Sequence, residues 1–171
     1  MNRLVVAMYL VAIVAANLLV VWFGPSVSIV NAFLFIGLDL TARDRLHDAW
    51  NGNGLVWKMG VLIASGGLLS YLLNRDAGQI ALASTVAFAA AALVDASVYH
   101  LLRKRPFLVK ANVSNVPGAA VDSIIFPTLA FGGLMPWITL GQFVAKVTGG
   151  FVWSLILNRG RVDVAVSRES A

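Results

Sequence analysis

Two aspartates stand out because each interrupts a long apolar run: Asp95 in ALVDASVY and Asp122 in AAVDSIIF. An ionisable side chain at the centre of a bilayer costs roughly 2.5–3.5 kcal/mol on insertion scales, so it faces a cavity or a partner. VDASVY and VDSIIF share Val, Asp, a nearby small residue and an aromatic four positions after the acid, which reads as a short repeated motif. Helical spacing groups other residues with them. Ser84, Phe88, Ala91, Asp95 and Tyr99 recur every three or four positions and define one face, and Asn115, Gly118 and Asp122 define another. Asn112 and Ser114 lie one turn away from the latter, Gln142, Lys146 and Trp153 share a third face, and Asn17 and Asn31 add single polar positions.

These residue types can bind a polar ligand, and nothing in their pattern gives a positive reason to expect an enzyme. Carboxylates accept N–H groups, amides both donate and accept, and a lysine supplies a charged donor. The same residues also have a structural role open to them. Lys146 can neutralise Asp95 or Asp122, and Asn17, Asn31 and Gln142 can hydrogen-bond neighbouring helices. No nucleophile–base pattern, phosphate loop, dinucleotide fingerprint or zinc motif occurs, so no catalytic residue and no cofactor is expected. With no cysteine and only His47 and His100, no metal site is expected either.

The elements that must position these residues can be read from composition. Of 171 residues, 59% are hydrophobic and 12% charged, and mean hydropathy is +0.82. A soluble domain is nearer half apolar and a quarter charged. Six apolar runs are present: Leu4 to Phe23, Val27 to Leu40, Leu55 to Leu73, Gln79 to Leu102, Phe107 to Phe131 and Leu134 to Leu157. At about 20 residues per span they account for roughly 120 positions. The chain is therefore expected to be an all-α, polytopic membrane protein of six spans over residues 1–157, with a polar cytoplasmic tail over 158–171. The first run lacks a small-residue cleavage pattern and reads as a retained helix. The second run is short and passes into TARDRLHDAW, which is expected to lie at the interface, with His47 and His100 solvated at the cytoplasmic margin. Trp22, Trp57, Trp137 and Trp153 read mainly as interfacial anchors. Pro117 removes a backbone donor within the fifth run, as happens where a helix lines a cavity.

Cations set the expected orientation. With the N-terminus inside, the inner segments hold eleven, namely Arg3, Arg43, Arg45, Lys58, Arg103, Lys104, Arg105, Lys110, Arg159, Arg161 and Arg168, while the outer loops hold only Arg75. That bias places both termini in the cytoplasm, in a cell membrane crossed several times. It also accounts for the basic balance without nucleic acid as a partner.

Three segments carry a family resemblance: MYLVAIVAANLLVVWFGP followed by NAFLFIGLDLTARDRLHD, LASTVAFAAAALVDASVYHLLRK, and KANVSNVPGAAVDSIIFPTLAF. Together they resemble the queuosine-precursor transporter family, also called the vitamin uptake transporter (VUT) family. The resemblance implies six helices and uptake of a 7-deazaguanine base such as 7-cyano-7-deazaguanine. It places Asp95 and Asp122 at the substrate, with Ser84, Asn112, Ser114 and Asn115 beside them. Gln142, Lys146 and Asn31 complete the expected binding set from their helical faces. A guanine-like edge presents adjacent N–H donors and a carbonyl, which a carboxylate and an amide can serve, and Phe88, Tyr99 and Phe126 can stack on the ring. The chain departs from the family in being short and in ending its second helix with ARDRLHDAW.

Two other functions share this outline. One is the substrate-capturing S-component of an ECF-type vitamin transporter, contacting its energising module through Ala12-x-x-x-Ala16. The other is a membrane scaffold whose polar residues only pack helices. The expected partners are a small heterocyclic base, the lipid bilayer and a second copy of the chain in a homodimer. One cavity bounded by the fourth and fifth helices is expected.

Overall fold

A computed structural model describes the backbone of residues 2–50 and 54–169 and the side chains of residues 3–50 and 54–157. The described residues are helical, with no strand among them. Helix α1 covers Asn2–Phe23 and ends where Gly24 adopts a left-handed conformation, φ 77°. Pro25 follows, and this pairing stops a helix cleanly. The chain then forms α2 (Val27–Asn31), a π-helical segment (Ala32–Ile36) and α3 (Gly37–Trp50), which run on as one rod over residues 27–50. Next come α4 (Leu55–Leu73), α5 (Gly78–Leu101), α6 (Phe107–Phe131) and α7 (Pro136–Glu169). Gly132, again left-handed, closes α6. The tail expected over 158–171 lies outside the described side chains.

Four stretches are long and apolar enough to cross a membrane: Arg3–Phe23, Leu55–Leu73, Arg75–Leu101 and Pro136–Leu157. The rod and α6 are also long enough to span roughly 30 Å of hydrocarbon, and each carries buried charge, as α5 and α7 do. Exposed Leu, Val, Phe and Trp side chains on α1, α4, α5 and α7 form the outside of the bundle.

The rod departs most from the sequence expectation. Residues 39–44 are all buried, so the start of TARDRLHDAW packs inside the helix bundle, whereas its end, from His47 to Trp50, is partly or fully exposed. Arg43, counted among the cations of the inner segments, is 3% exposed and belongs to the core. A helix surrounded by other helices needs no apolar face, since its polar side chains meet protein and not lipid.

Small residues permit that enclosure. A Cβ on Gly37 would lie 2.6 Å from the Gly149 carbonyl carbon, so the rod and α7 meet backbone to backbone. Thr41 Oγ1 donates to the Gly150 carbonyl at 3.2 Å, and Trp153 Nε1 donates to the Leu34 carbonyl at 2.9 Å inside the π segment. Trp153 is thus a tie between helices as well as a large residue near a span end. Tyr9, Ile13, Ile36, Leu46, Met59, Leu62 and Phe88 make the main apolar core. Ala12 and Ala16 are buried within the chain. The Ala12-x-x-x-Ala16 face therefore packs within the chain.

Candidate functional site

The polar interior is built on α3, α5, α6 and α7. Ser84, Phe88, Ala91, Asp95 and Tyr99 are all buried, so the face inferred on α5 points inward as expected. Asn115, Gly118 and Asp122 do the same on α6. A Cβ on Gly118 would come within 3.2 Å of Asp95 Cβ and 3.4 Å of the Ala91 carbonyl, so this glycine lets α5 and α6 approach closely.

Two clusters of charge result. In the first, Lys146 Nζ lies 2.5 Å from Asp122 Oδ2 and donates to Gln142 Oε1 at 2.9 Å and Ser123 Oγ at 3.2 Å. An ammonium has three protons, and here each has an acceptor. Gln142 Nε2 continues the chain to Ser28 Oγ at 2.8 Å. The network joins α7, α6 and α2 and leaves Asp122 Oδ1 without a partner among the described residues.

In the second cluster, Arg43 Nε lies 3.4 Å from Asp95 Oδ2, an ion pair without a well-formed hydrogen bond. Its two terminal nitrogens have no hydrogen-bond partner among the described residues. Asp39 and Asp44 are within electrostatic reach of the same guanidinium. Asn115 Nδ2 donates to Asp44 Oδ2 at 3.4 Å. Both oxygens of Asp39, Asp44 Oδ1, Asp95 Oδ1 and Asn115 Oδ1 lack a hydrogen-bond partner among the described residues. Tyr9, wholly buried, sits beside Asp39 but closes no hydrogen bond of normal geometry with it.

Sequence reasoning named Asp95, Asp122, Lys146, Gln142 and Asn115, and all five belong to these clusters. Ser84 and Asn31 line the cavity beside Asp122, although Asn31 Nδ2 is committed to the Ala16 carbonyl at 3.0 Å. Asn17 likewise donates to Ser70 Oγ at 3.0 Å. Asn112 and Ser114 bond elsewhere, Asn112 to Ser154 on α7 and to the Leu108 carbonyl, and Ser114 to the Ala111 carbonyl. Asp39, Arg43, Asp44, Tyr9, Ser28 and Ser123 were missed. The available signal was an acid and a base at i, i+4, Asp39 and Arg43, in a helix continuing directly from an apolar run. His47, expected to be solvated, is half-buried with its ring 4.8 Å from that of Tyr99.

Two cavities flank the clusters. One, of about 20 Å³, is lined by Asn31, Ser84, Phe88, Asp122, Phe126 and Lys146, among others. Such a space holds about one water, so this conformation is closed around Asp122. The other, of about 210 Å³, lies among α3, α4 and α5, and Arg43, His47 and Asp95 lie against its otherwise apolar wall. The cavity expected to be bounded by the fourth and fifth spans, α5 and α6, corresponds to the smaller one, whereas the larger is walled by α3, α4 and α5. The described residues include no group of three or more His, Cys, Asp or Glu side chains able to hold a metal ion.

The sequence model of the family described as "Putative vitamin uptake transporter" matches residues 2–158. No curated protein and no solved structure matches the chain.

Proposed function

The chain belongs to the vitamin uptake transporter family, and on that premise we propose that it carries a 7-deazaguanine base, such as 7-cyano-7-deazaguanine, across the cytoplasmic membrane. In this reading the chain crosses six times, with both termini inside. The observation that carries the reading is the pair of buried aspartates on neighbouring helices, each with one oxygen held by a cation and the other without a partner among the described residues. Ion pairing keeps each carboxylate an acceptor, and the unpartnered oxygen is directed to ligand N–H groups. The terminal nitrogens of Arg43 serve the ring carbonyl, and Asn115 Oδ1 offers a further acceptor. Phe88 and Phe126, in the wall of the smaller cavity, supply the faces on which a flat ring stacks. Because that cavity holds about one water when closed, substrate entry requires the helices around it to part, as alternating access demands.

The test is uptake of labelled 7-cyano-7-deazaguanine by cells unable to synthesise it. Wild type is compared with Asp95→Asn and Asp122→Asn at matched membrane levels. Uptake in wild type, lost in both variants, is the expected outcome. No uptake by correctly inserted wild type would sink the substrate assignment.

A further inference from the structure

Among the described residues, the buried charged side chains are Asp39, Asp44, Asp95, Asp122, Arg43 and Lys146. Four carboxylates share two cations, so two acids are in excess inside the protein. Asp95 and Asp122 each take a cation, and Asp44 has a hydrogen bond from Asn115. Asp39 has none of these. It is 0% exposed, forms no ion pair among the described residues, and accepts no hydrogen bond of normal geometry on either oxygen, the Tyr9 hydroxyl being the neighbour placed to donate. A bare carboxylate in such surroundings is among the most costly arrangements in a protein interior, and a bound proton removes the cost.

Its place on the rod lies between two cavities. The rod carries Ser28, Asn31 and Ile36 into the smaller cavity and Arg43 and His47 into the larger one. Asp39 falls between them, one turn from Ile36 and one turn from Arg43. The smaller cavity reaches Val20, Ser28 and Phe126, near the end where α1 passes to α2. The larger reaches His47, Leu55 and Val56, at the opposite end, where α3 passes to α4. The charged and titratable groups within electrostatic reach of Asp39 include Tyr9 from α1, Arg43 on its own helix, Asp95 from α5, Asp122 from α6 and Lys146 from α7. Asp39 therefore communicates electrostatically with both ion pairs while being engaged by neither.

The geometry points to Asp39 as a proton carrier that couples transport to proton movement, taking a proton from the side of one cavity and releasing it to the side of the other. Neutral Asp39 leaves the Arg43 guanidinium to the remaining acids. When Asp39 gives up its proton, the Arg43 guanidinium is shared with its carboxylate and its hold on Asp95 weakens, so the solute at that site is released together with the proton. One proton enters from one side and leaves to the other per cycle, and no other species is consumed. The inference rests on the transporter reading above, which alone supplies a solute to couple.

The purified full chain, reconstituted in liposomes, tests it in two independent ways. An acid-outside gradient of one pH unit, at one proton per solute, sustains about tenfold accumulation. Wild type should show it with labelled 7-cyano-7-deazaguanine, and Asp39→Asn should lose it. Infrared spectroscopy of the same protein at neutral pH should show a protonated-carboxyl band that Asp39→Asn removes, and this readout needs no substrate. Wild-type accumulation indifferent to the gradient, or a band unchanged in Asp39→Asn, overturns the proposal. Absence of any 7-cyano-7-deazaguanine movement overturns only the substrate assignment, and the band then decides on Asp39. Should Asp39→Asn fail to fold, Asp39→Glu decides: it must keep an acid band at a shifted frequency, and an unshifted band overturns the assignment.

Discussion

Around Lys146 every donor has an acceptor, and the lysine, amide and hydroxyl form one line from α7 to α2. Around Arg43 the reverse holds, with donors and acceptors crowded together and most of them unpartnered among the described residues. Both clusters are buried, both pair an aspartate with a cation, and both draw on the rod and its neighbouring helices. Their difference is one of satisfaction. A completed network fixes the relative positions of helices and resembles other structural pairs, which apolar residues of similar volume can often replace without loss. An incomplete one is costly as it stands and is tolerated where water, a proton or a ligand completes it. The Lys146 cluster thus serves mainly as a joint, with Asp122 Oδ1 alone left open to a ligand, and the Arg43 cluster mainly as a receptor.

The comparison is most severely tested at the joint. Lys146→Met leaves Asp122 buried without its cation and should lower stability by about 3–5 kcal/mol, read from thermal unfolding in detergent. Adding Asp122→Leu should recover most of that loss while uptake stays absent. Failure to recover would mean that Lys146 does more than balance charge. Gly118→Ala tests the wall between the clusters. Its new methyl meets Asp95 Cβ and the Ala91 carbonyl, and overpacking of this kind costs about 1–3 kcal/mol. Uptake should fall with it, because Asp95 is displaced.

Asp95→Asn sharpens the contrast from the other side. Arg43 keeps Asp39 and Asp44 as neighbours, so the loss should be about 1–2 kcal/mol, well below that of Lys146→Met, although uptake is abolished. Equal destabilisation by the two variants would erase the distinction between joint and receptor. Ser123→Ala, which removes one of three acceptors from Lys146, should cost only about 0.5–1 kcal/mol, in line with single interhelical hydrogen bonds in membranes. Its uptake should remain near that of wild type.

How much of this was legible in the sequence varies along the chain. On α5 and α6 the periodicity of Ser84, Phe88, Asp95 and of Asn115, Gly118, Asp122 pointed to the buried faces, because a polar residue in an otherwise apolar helix has only one comfortable direction. On α3 periodicity failed. Its buried positions run without a break over residues 39–44, so there is no polar face to contrast with an apolar one. The π segment before it adds to the difficulty, since a wider turn delays the register of α3 by roughly 100° relative to a continuous α-helix. Hydropathy did not reveal that Arg43 and Asp44 are enclosed by neighbouring helices along that stretch.

The apolar runs and their lengths determined that the chain is helical and suited to a bilayer, because unpaired backbone groups have no other refuge there. Local spacing likewise determined that Asp95 and Asp122 face inward. Which cation each acid meets, whether Asn112 binds a ligand or Ser154, and that Asp39 has no hydrogen-bonding partner among the described residues were decided only by the tertiary structure. Those outcomes depend on distances of a few ångströms between helices far apart in sequence, and they are set by close approaches such as Gly37 on Gly149 that no single helix contains.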